Sequence, residues 1–181
     1  MEDEEEMLQR KYITMLVLGV SVLAVAYVLF SSISFQKVGA GIGEAAPRFE
    51  LPMYNGEEGS LSQYEGDVIV LNMWASWCKP CTEEIPALME FQESYRERGV
   101  TVLTVNMNSF ERNQDDPESF VDTYNMSRSP AMIDEDGEVA ELYNVQRLPT
   151  TYIIGRDRTI VDKTVGQVEL DDLKKLVENE L

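Results

Sequence analysis

The sequence contains no histidine and only two cysteines among its 181 residues. The absence of histidine excludes a Ser-His-Asp triad, a Cys-His protease dyad and any histidine metal ligand. Two cysteines by themselves also cannot complete a structural zinc site, so no metal site is expected. The cysteine pair is therefore interpreted either as a redox-active disulfide or as a fixed structural disulfide.

Basic residues are scarce as well. The chain has 15 lysines and arginines against 33 aspartates and glutamates, which gives a formal net charge of −18. Nucleic-acid binding is not expected, because recognition of phosphates needs a basic surface. The length and the hydrophobic content of 44% are sufficient for one folded domain with an appendage.

A long uncharged segment, residues 12–36, lies near the N-terminus, and its apolar centre is long enough to cross a membrane as a helix. We expect an uncleaved anchor. The alternative is a signal peptide cleaved near the small residues 24–26, but the apolar run continues beyond them. Arg10 and Lys11 precede the segment and the lone Lys37 follows it, which predicts a single-pass protein of the cell membrane with its N-terminus inside and its domain outside.

The chain is thus expected to comprise a cytoplasmic N-terminal tip (1–11), a transmembrane anchor (12–36), a flexible tether with three glycines (37–43) and one α/β domain (44–181). Within the domain, a β-branched run predicts a buried strand at Val68–Trp74, and apolar residues at helical spacing predict a helix that ends near Gly99. A second β-branched run, at 100–105, completes a βαβ unit. Further elements are expected as an extended segment at 46–53, strands at 131–133, 151–154 and 159–165, and helices at 117–124, 139–145 and 169–180.

An acidic cluster, residues 134–137, follows the expected strand at 131–133. Carboxylates in a turn invite the interpretation of a calcium site. The cluster lacks the spaced ligands of an EF-hand loop, so a solvated turn is the preferred prediction.

The two cysteines, Cys78 and Cys81, lie where the first strand gives way to the helix. Cys78 is expected at the helix start, where free backbone N–H groups stabilise a thiolate, and it is the predicted attacking sulfur. Cys81 lies one turn later on the same face and is the predicted resolving thiol. Pro80 suits the first turn because the N–H groups there have no helical partner to lose. Lys79 either stabilises the Cys78 thiolate or faces solvent.

Glu84 lies three residues past Cys81, so it can share a helix face with both sulfurs. A carboxylate in a partly buried site has a raised pKa and can pass protons to and from thiols. The alternative is a solvated glutamate like Glu83. Trp77 is expected beside the site, whereas Trp74 is expected in the core.

The sequence Trp-Cys-Lys-Pro-Cys after a hydrophobic strand resembles the active site of thioredoxin-fold proteins. The continuation Cys81-Thr82-Glu83-Glu84-Ile85-Pro86 is similar to that of the membrane-tethered ResA/TlpA branch. The resemblance implies a central mixed sheet flanked by helices, and it favours a functional Glu84. It also implies that Pro149 is a cis-proline beside the disulfide and that Leu148 pairs with substrate backbone, with Trp77, Lys79 and Pro80 contributing to substrate binding. In many thioredoxins a buried aspartate stands where this chain has Asn72, which cannot exchange protons.

The function that the resemblance implies is the reduction of protein disulfides, specifically of apocytochrome c cysteines before haem attachment. A membrane thiol donor of the CcdA type would re-reduce the pair, and the Cys78–Cys81 disulfide would take the place of a cofactor. A disulfide-forming oxidase or isomerase has the same architecture. A redox-silent, membrane-tethered binding module is the alternative from another class. A peroxidase is disfavoured, because Ala75 stands where peroxiredoxins carry threonine or serine.

Overall fold

The computed structural model describes residues 2–32, 36–113, 116–126 and 130–181. The chain divides into two units, residues 1–36 and residues 37–181. The first unit contains one helix, α1, at Glu2–Ser32. Its stretch Arg10–Val28 is 19 residues long, has a mean hydropathy of 1.9 and is long and apolar enough to cross a membrane.

The helix α1 differs in its bounds from the predicted anchor. It includes most of the acidic segment that was predicted as a separate tip, because glutamate is a good helix former and continues the helical pattern. Residues 33–35 of the predicted anchor lie outside the described residues.

A mixed five-stranded sheet forms the centre of the second unit, in the order β5-β4-β3-β6-β7. Its strands are β3 at Val68–Trp74, β4 at Val100–Asn106, β5 at Ala131–Ile133, β6 at Thr150–Ile154 and β7 at Ile160–Val165. The first three run parallel, and β6 and β7 are antiparallel to their neighbours. A separate hairpin joins β1 at Glu50–Pro52 to β2 at Glu58–Ser60. The expected mixed α/β sheet is confirmed.

Four helices accompany this sheet: α2 at Lys79–Tyr95, α3 at Asp116–Thr123, α4 at Glu138–Leu142 and α5 at Leu170–Glu178. On one face, Leu88 and Phe91 of α2 and Leu173 of α5 pack on valines of β3 and β4. On the other face, Val139 and Tyr143 of the α4 segment pack on β3, β4 and β6. All seven residues of β3 are buried. This strand therefore fixes the start of the segment that follows it, in which Cys78 comes directly before α2 and Cys81 lies in its first turn.

The expected elements are present with shifts at their ends. The helix after the cysteines ends in a 3-10 turn at Arg96–Arg98, which Gly99 closes with a φ of 76°. That positive φ is the conformation that favours glycine at a helix end. The α4 helix is shorter than the expected 139–145, because Asn144 adopts a positive φ of 48° and ends it.

The segment 37–43, predicted as a flexible tether, belongs to the second unit and forms hydrogen bonds within it. The amide of Gly39 donates to the carbonyl of Ala45 over 3.0 Å, and the amide of Gly43 donates to the carbonyl of Ile160 over 2.8 Å. Lys37 and Glu44 also form an ion pair at 2.5 Å. The three glycines thus lie in a fixed turn of this unit and not in a free linker.

The solvated turn predicted at 134–137 is wrong for its first residue. Asp134 is fully buried, and its two carboxylate oxygens accept hydrogen bonds from the amides of Val139 and Ala140, over 3.2 and 2.9 Å. The carboxylate therefore satisfies the free N–H groups at the start of α4. Among the described residues, no group of three or more histidine, cysteine, aspartate or glutamate side chains is arranged to hold a metal ion.

Candidate active site

A disulfide joins Cys78 and Cys81 at the start of α2. Cys78 is the N-cap of this helix, and its sulfur accepts a hydrogen bond from the amide of Cys81 at 3.3 Å. When the pair is reduced, this N–H group and the positive end of the helix dipole favour the thiolate of Cys78. In the oxidised state Cys78 is 3% exposed and Cys81 is fully buried, so only the first sulfur borders solvent.

The disulfide belongs to an apolar cluster. Trp74 and Phe120 stack with their ring centres 4.6 Å apart, and Ile85 and Met126 are fully buried in the same cluster. The core position expected for Trp74 is confirmed. Apart from the cysteines, none of the buried side chains in this cluster is an acid or a base, so a proton for the buried Cys81 is expected to come from a titratable side chain nearby.

The loop before β6 lies against this cluster. The peptide bond between Leu148 and Pro149 is cis, Pro149 is buried, and Leu148 packs on the cluster that contains both cysteines. Among the described residues, neither the amide nor the carbonyl group of Leu148 makes a hydrogen bond. The neighbouring carbonyl of Arg147 accepts a hydrogen bond from the hydroxyl of Thr150 at 2.8 Å. The amide and the carbonyl of Leu148 are thus available for hydrogen bonds to a partner, and the pairing of Leu148 with substrate backbone stays a prediction.

Glu84 is buried one turn after Cys81, with only 2% of its surface exposed. Its Oε1 accepts a hydrogen bond from Nδ2 of Asn72 at 2.8 Å, and its Oε2 accepts one from the amide of Val168 at 2.9 Å. Burial raises the pKa of the Glu84 carboxyl, and the two hydrogen bonds oppose that rise only in part. The alternative of a solvated glutamate is therefore wrong.

Asn72 fixes the carboxyl from the sheet side. Its Nδ2 also donates to Oγ1 of Thr151 at 2.9 Å, while its Oδ1 is buried and has no hydrogen-bond partner. If the amide turned over, Oδ1 would become the acceptor that a protonated Glu84 needs. Asn72 cannot exchange protons itself, but it can adapt to either protonation state of Glu84.

The three exposed positions assigned to substrate binding lie around the disulfide. Trp77 is 43% exposed, and its indole N–H donates to the carbonyl of Phe110 at 2.8 Å. The side chain of Lys79 is 87% exposed and lies 3.7 Å from Glu83, so the solvent-facing alternative describes it. Pro80 is exposed in the first turn of α2. Their roles in binding stay predictions.

One residue at the site was missed by the sequence analysis. Glu111, in the loop after β4, accepts hydrogen bonds from the amide and hydroxyl of Ser76 at 2.7 and 2.6 Å and from Nδ2 of Asn106 at 2.7 Å. Arg112 lies over the ring of Trp77, 4.6 Å from its centre. This loop therefore holds the two residues that precede Cys78. No local pattern marks Glu111, because Ser76 lies 35 positions away in the sequence.

The fold and this site define a class: a thiol-disulfide oxidoreductase of the thioredoxin fold. The AhpC/TSA family model matches residues 42–163, and the chain belongs to that family. The ResA thiol-disulfide oxidoreductase of Geobacillus kaustophilus is 30% identical over 171 residues, which cover 94% of this chain and 96% of that protein.

Two further comparisons agree with this assignment. The thioredoxin-like protein YneN of Bacillus subtilis is 37% identical over 147 residues, covering 81% of this chain and 85% of that protein. The solved structure of StoA from Bacillus subtilis superposes with a TM-score of 0.63 at 27% identity, and the match covers 72% of this chain and 96% of that one. The chain is thus a ResA-like thiol-disulfide oxidoreductase, as its motif implied.

Proposed function

We propose that this protein reduces disulfides of protein substrates on the outer side of the cell membrane, with Cys78 and Cys81 as the redox-active pair. The observation that carries the proposal is the placement of the pair. The first cysteine is the N-cap of α2 at the border with solvent, and the second is buried one turn below it. A purely structural disulfide would not need a neighbouring residue such as Leu148, whose backbone amide and carbonyl make no hydrogen bond among the described residues.

The reduced pair reacts in two steps. The Cys78 thiolate attacks one sulfur of a substrate disulfide, forming a Cys78–substrate disulfide while the second substrate sulfur leaves as a thiolate and is protonated. Cys81, once deprotonated, attacks the sulfur of Cys78 and releases the first substrate sulfur as a thiol. Two electrons have then passed to the substrate, and the Cys78–Cys81 disulfide has formed without any other cofactor.

Glu84 is the group that we assign to proton transfer at Cys81. It follows Cys81 by one turn of the same helix and is shielded from bulk water. Because its pKa is raised, its carboxyl exchanges protons nearer to neutral pH than an exposed glutamate does. Asn72 holds the carboxyl in place from β3.

The cellular role follows from the resemblance to the ResA/TlpA branch. The substrate is apocytochrome c, whose cysteine pair must be reduced before haem is attached. A membrane thiol donor of the CcdA type returns two electrons to the oxidised Cys78–Cys81 pair. The apolar helix α1 anchors the protein, and Arg10 and Lys11 keep its N-terminus inside, so the domain meets secreted substrates.

The test uses the full chain in non-ionic detergent and an oxidised peptide with the haem-attachment pattern Cys-x-x-Cys-His. The reduced protein is expected to release the peptide thiols. Cys81→Ser is expected to accumulate a mixed disulfide between the peptide and Cys78, and Cys78→Ser is expected to give neither product. A Cys78→Ser protein that reduced the peptide at the unaltered rate would refute the role of Cys78 as the attacking sulfur. A Cys78→Ser protein that gave no reduced peptide but still supported cytochrome c maturation in cells would refute the proposal and favour a redox-silent binding module.

A further inference from the structure

Most of the lysine and arginine side chains of this acidic protein form ion pairs with carboxylates. In the described part of residues 37–181, eight lysines and arginines lie within 4.0 Å of an aspartate or glutamate oxygen. Arg112, Arg147, Arg156 and Lys163 have no such partner among the described residues. Arg156 instead donates to two backbone carbonyls, and Arg112 lies over Trp77 beside the disulfide.

The other two free cations share one cleft. A cleft of about 280 Å³ lies between the loop before β6 and the edge strand β7, and no carboxylate lines it. Lys163 of β7 lies opposite Tyr152 of β6 in the sheet. Its Nζ is 4.8 Å from the centre of the Tyr152 ring, and this cation–π contact holds the ammonium group in place. Arg147 is exposed and makes no hydrogen bond or ion pair with its side chain among the described residues. The cleft is lined by Asn144, Gln146, Arg147, Thr150, Lys163 and Val165.

This cleft adjoins the place where a substrate must lie. Arg147 directly precedes Leu148, whose side chain packs on the cysteine cluster and whose backbone amide and carbonyl make no hydrogen bond among the described residues. A peptide that pairs with Leu148 while its cysteine meets Cys78 carries its neighbouring side chains past the cleft. A guanidinium group and an ammonium group without internal carboxylates then offer a binding place for an anionic side chain.

We propose that this cleft, defined by Arg147 and Lys163, is a specificity subsite for an aspartate or glutamate of the protein substrate close to the cysteine that Cys78 attacks. The inference rests on the proposed function of the Cys78–Cys81 pair. The net charge of −18 repels acidic substrates in general. A local cationic subsite therefore selects a substrate by the position of one acidic side chain relative to its cysteine, and not by the overall charge of the substrate.

The attack of Cys78 on three matched peptides tests the subsite. Each peptide has one cysteine joined to thionitrobenzoate, with glutamate, glutamine or lysine at the neighbouring positions. In the reduced Cys81→Ser full chain in non-ionic detergent, the Cys78 thiolate attacks the peptide sulfur, a Cys78–peptide disulfide forms, and coloured thionitrobenzoate leaves with the electron pair. Its release gives the rate of this single step, whatever the direction of electron flow in the cell.

The glutamate peptide is expected to react on the order of fivefold faster than the glutamine peptide at low salt, and the ratio should fall as ionic strength rises. Adding Arg147→Gln and Lys163→Gln should bring the ratio close to one. The matched control adds Lys174→Gln and Lys175→Gln, which makes the same charge change on α5 and should keep the ratio.

Equal rates for the three peptides overturn the subsite and leave the proposed function standing. A control that lowers the ratio as far as the cleft variant also overturns it, because the preference would then follow net charge. If Cys78 reacts with none of the peptides, the proposed function and the subsite both fail.

Discussion

Replacing Glu84 tests whether burial raises the pKa of its carboxyl. Glu84→Gln keeps the size of the side chain and removes its titration. The glutamine Oε1 can accept from the amide of Val168, and its Nε2 can donate to Oδ1 of Asn72 once that amide turns over, because this oxygen has no partner in the structure. The variant is therefore expected to fold, with Asn72 adapting as it would to a protonated Glu84.

The expected change in the free energy of unfolding with pH follows from proton linkage. The pKa of Glu84 lies above its ordinary value of 4.5 in the folded protein, so between the two values the folded state binds more protons than the unfolded state. The free energy of unfolding then falls as pH rises, by up to about 1.4 kcal/mol per pH unit for this one group. Below pH 4.5 Glu84 is protonated in both states and does not lower the free energy of unfolding. Above the raised pKa it is ionised in both states, and the loss of stability no longer changes with pH.

The assay is urea unfolding of the oxidised full chain in non-ionic detergent between pH 4 and pH 8. Tryptophan fluorescence reports on the domain alone, since both tryptophans, Trp74 and Trp77, lie within residues 37–181. Relative to the wild type, Glu84→Gln is expected to gain stability as pH rises. The matched control is Glu83→Gln, which removes an exposed carboxylate from the same helix turn. If the two variants gave the same difference from the wild type at every pH, the burial argument for Glu84 would be refuted.

Two further predictions concern the loop after β4 and the membrane anchor. Glu111→Ala removes the acceptors for three hydrogen bonds and leaves the buried amide of Asn106 unpaired, so urea unfolding should show a loss of about 2–3 kcal/mol. In intact cells, protease added outside should digest residues 37–181 and leave the N-terminus protected, because Arg10 and Lys11 favour the cytoplasmic side.

Each of these predictions has a matched control. Glu111→Gln keeps an oxygen for the amides of Ser76 and Asn106 and can donate to the hydroxyl of Ser76, so it should retain most of the stability. Equal losses for the alanine and glutamine variants would contradict the hydrogen-bond argument. For the anchor, neutralising both Arg10 and Lys11 should reduce the fraction of chains with the domain outside. A domain protected from outside protease in the wild type would contradict the predicted orientation.

The parts of the site that the sequence predicted are those whose cause is local. The strand Val68–Trp74 and the helix after it differ in the period of their apolar residues, and this change places Cys78 at a helix start. The cis peptide bond between Leu148 and Pro149 could not be derived from local pattern, because it lies in the loop before β6, far from the cysteines in the sequence. It was predicted only through the resemblance to thioredoxin-fold proteins.

The parts that the sequence did not predict depend on contacts between distant residues. The burial of Glu84 was favoured by the resemblance, but its hydrogen-bond donors Asn72 and Val168, which are 12 and 84 positions away, were not predicted. Glu111 reaches back 35 positions to Ser76. Asp134 belongs to an acidic cluster that predicts a solvated turn, yet its carboxylate is buried and caps the start of α4. Acidic residues of the same type can thus be exposed or buried according to the donors that the fold brings to them.

The reduction potential of the Cys78–Cys81 pair decides whether the protein acts as a reductant. The full chain in non-ionic detergent is equilibrated with thiol redox buffers, and the fraction of Cys78–Cys81 disulfide is determined by alkylation. A potential near or below that of thioredoxin, about −270 mV, is expected for the dedicated reductant proposed here. A potential near that of DsbA, about −120 mV, would contradict it and identify the protein as a disulfide-forming oxidase.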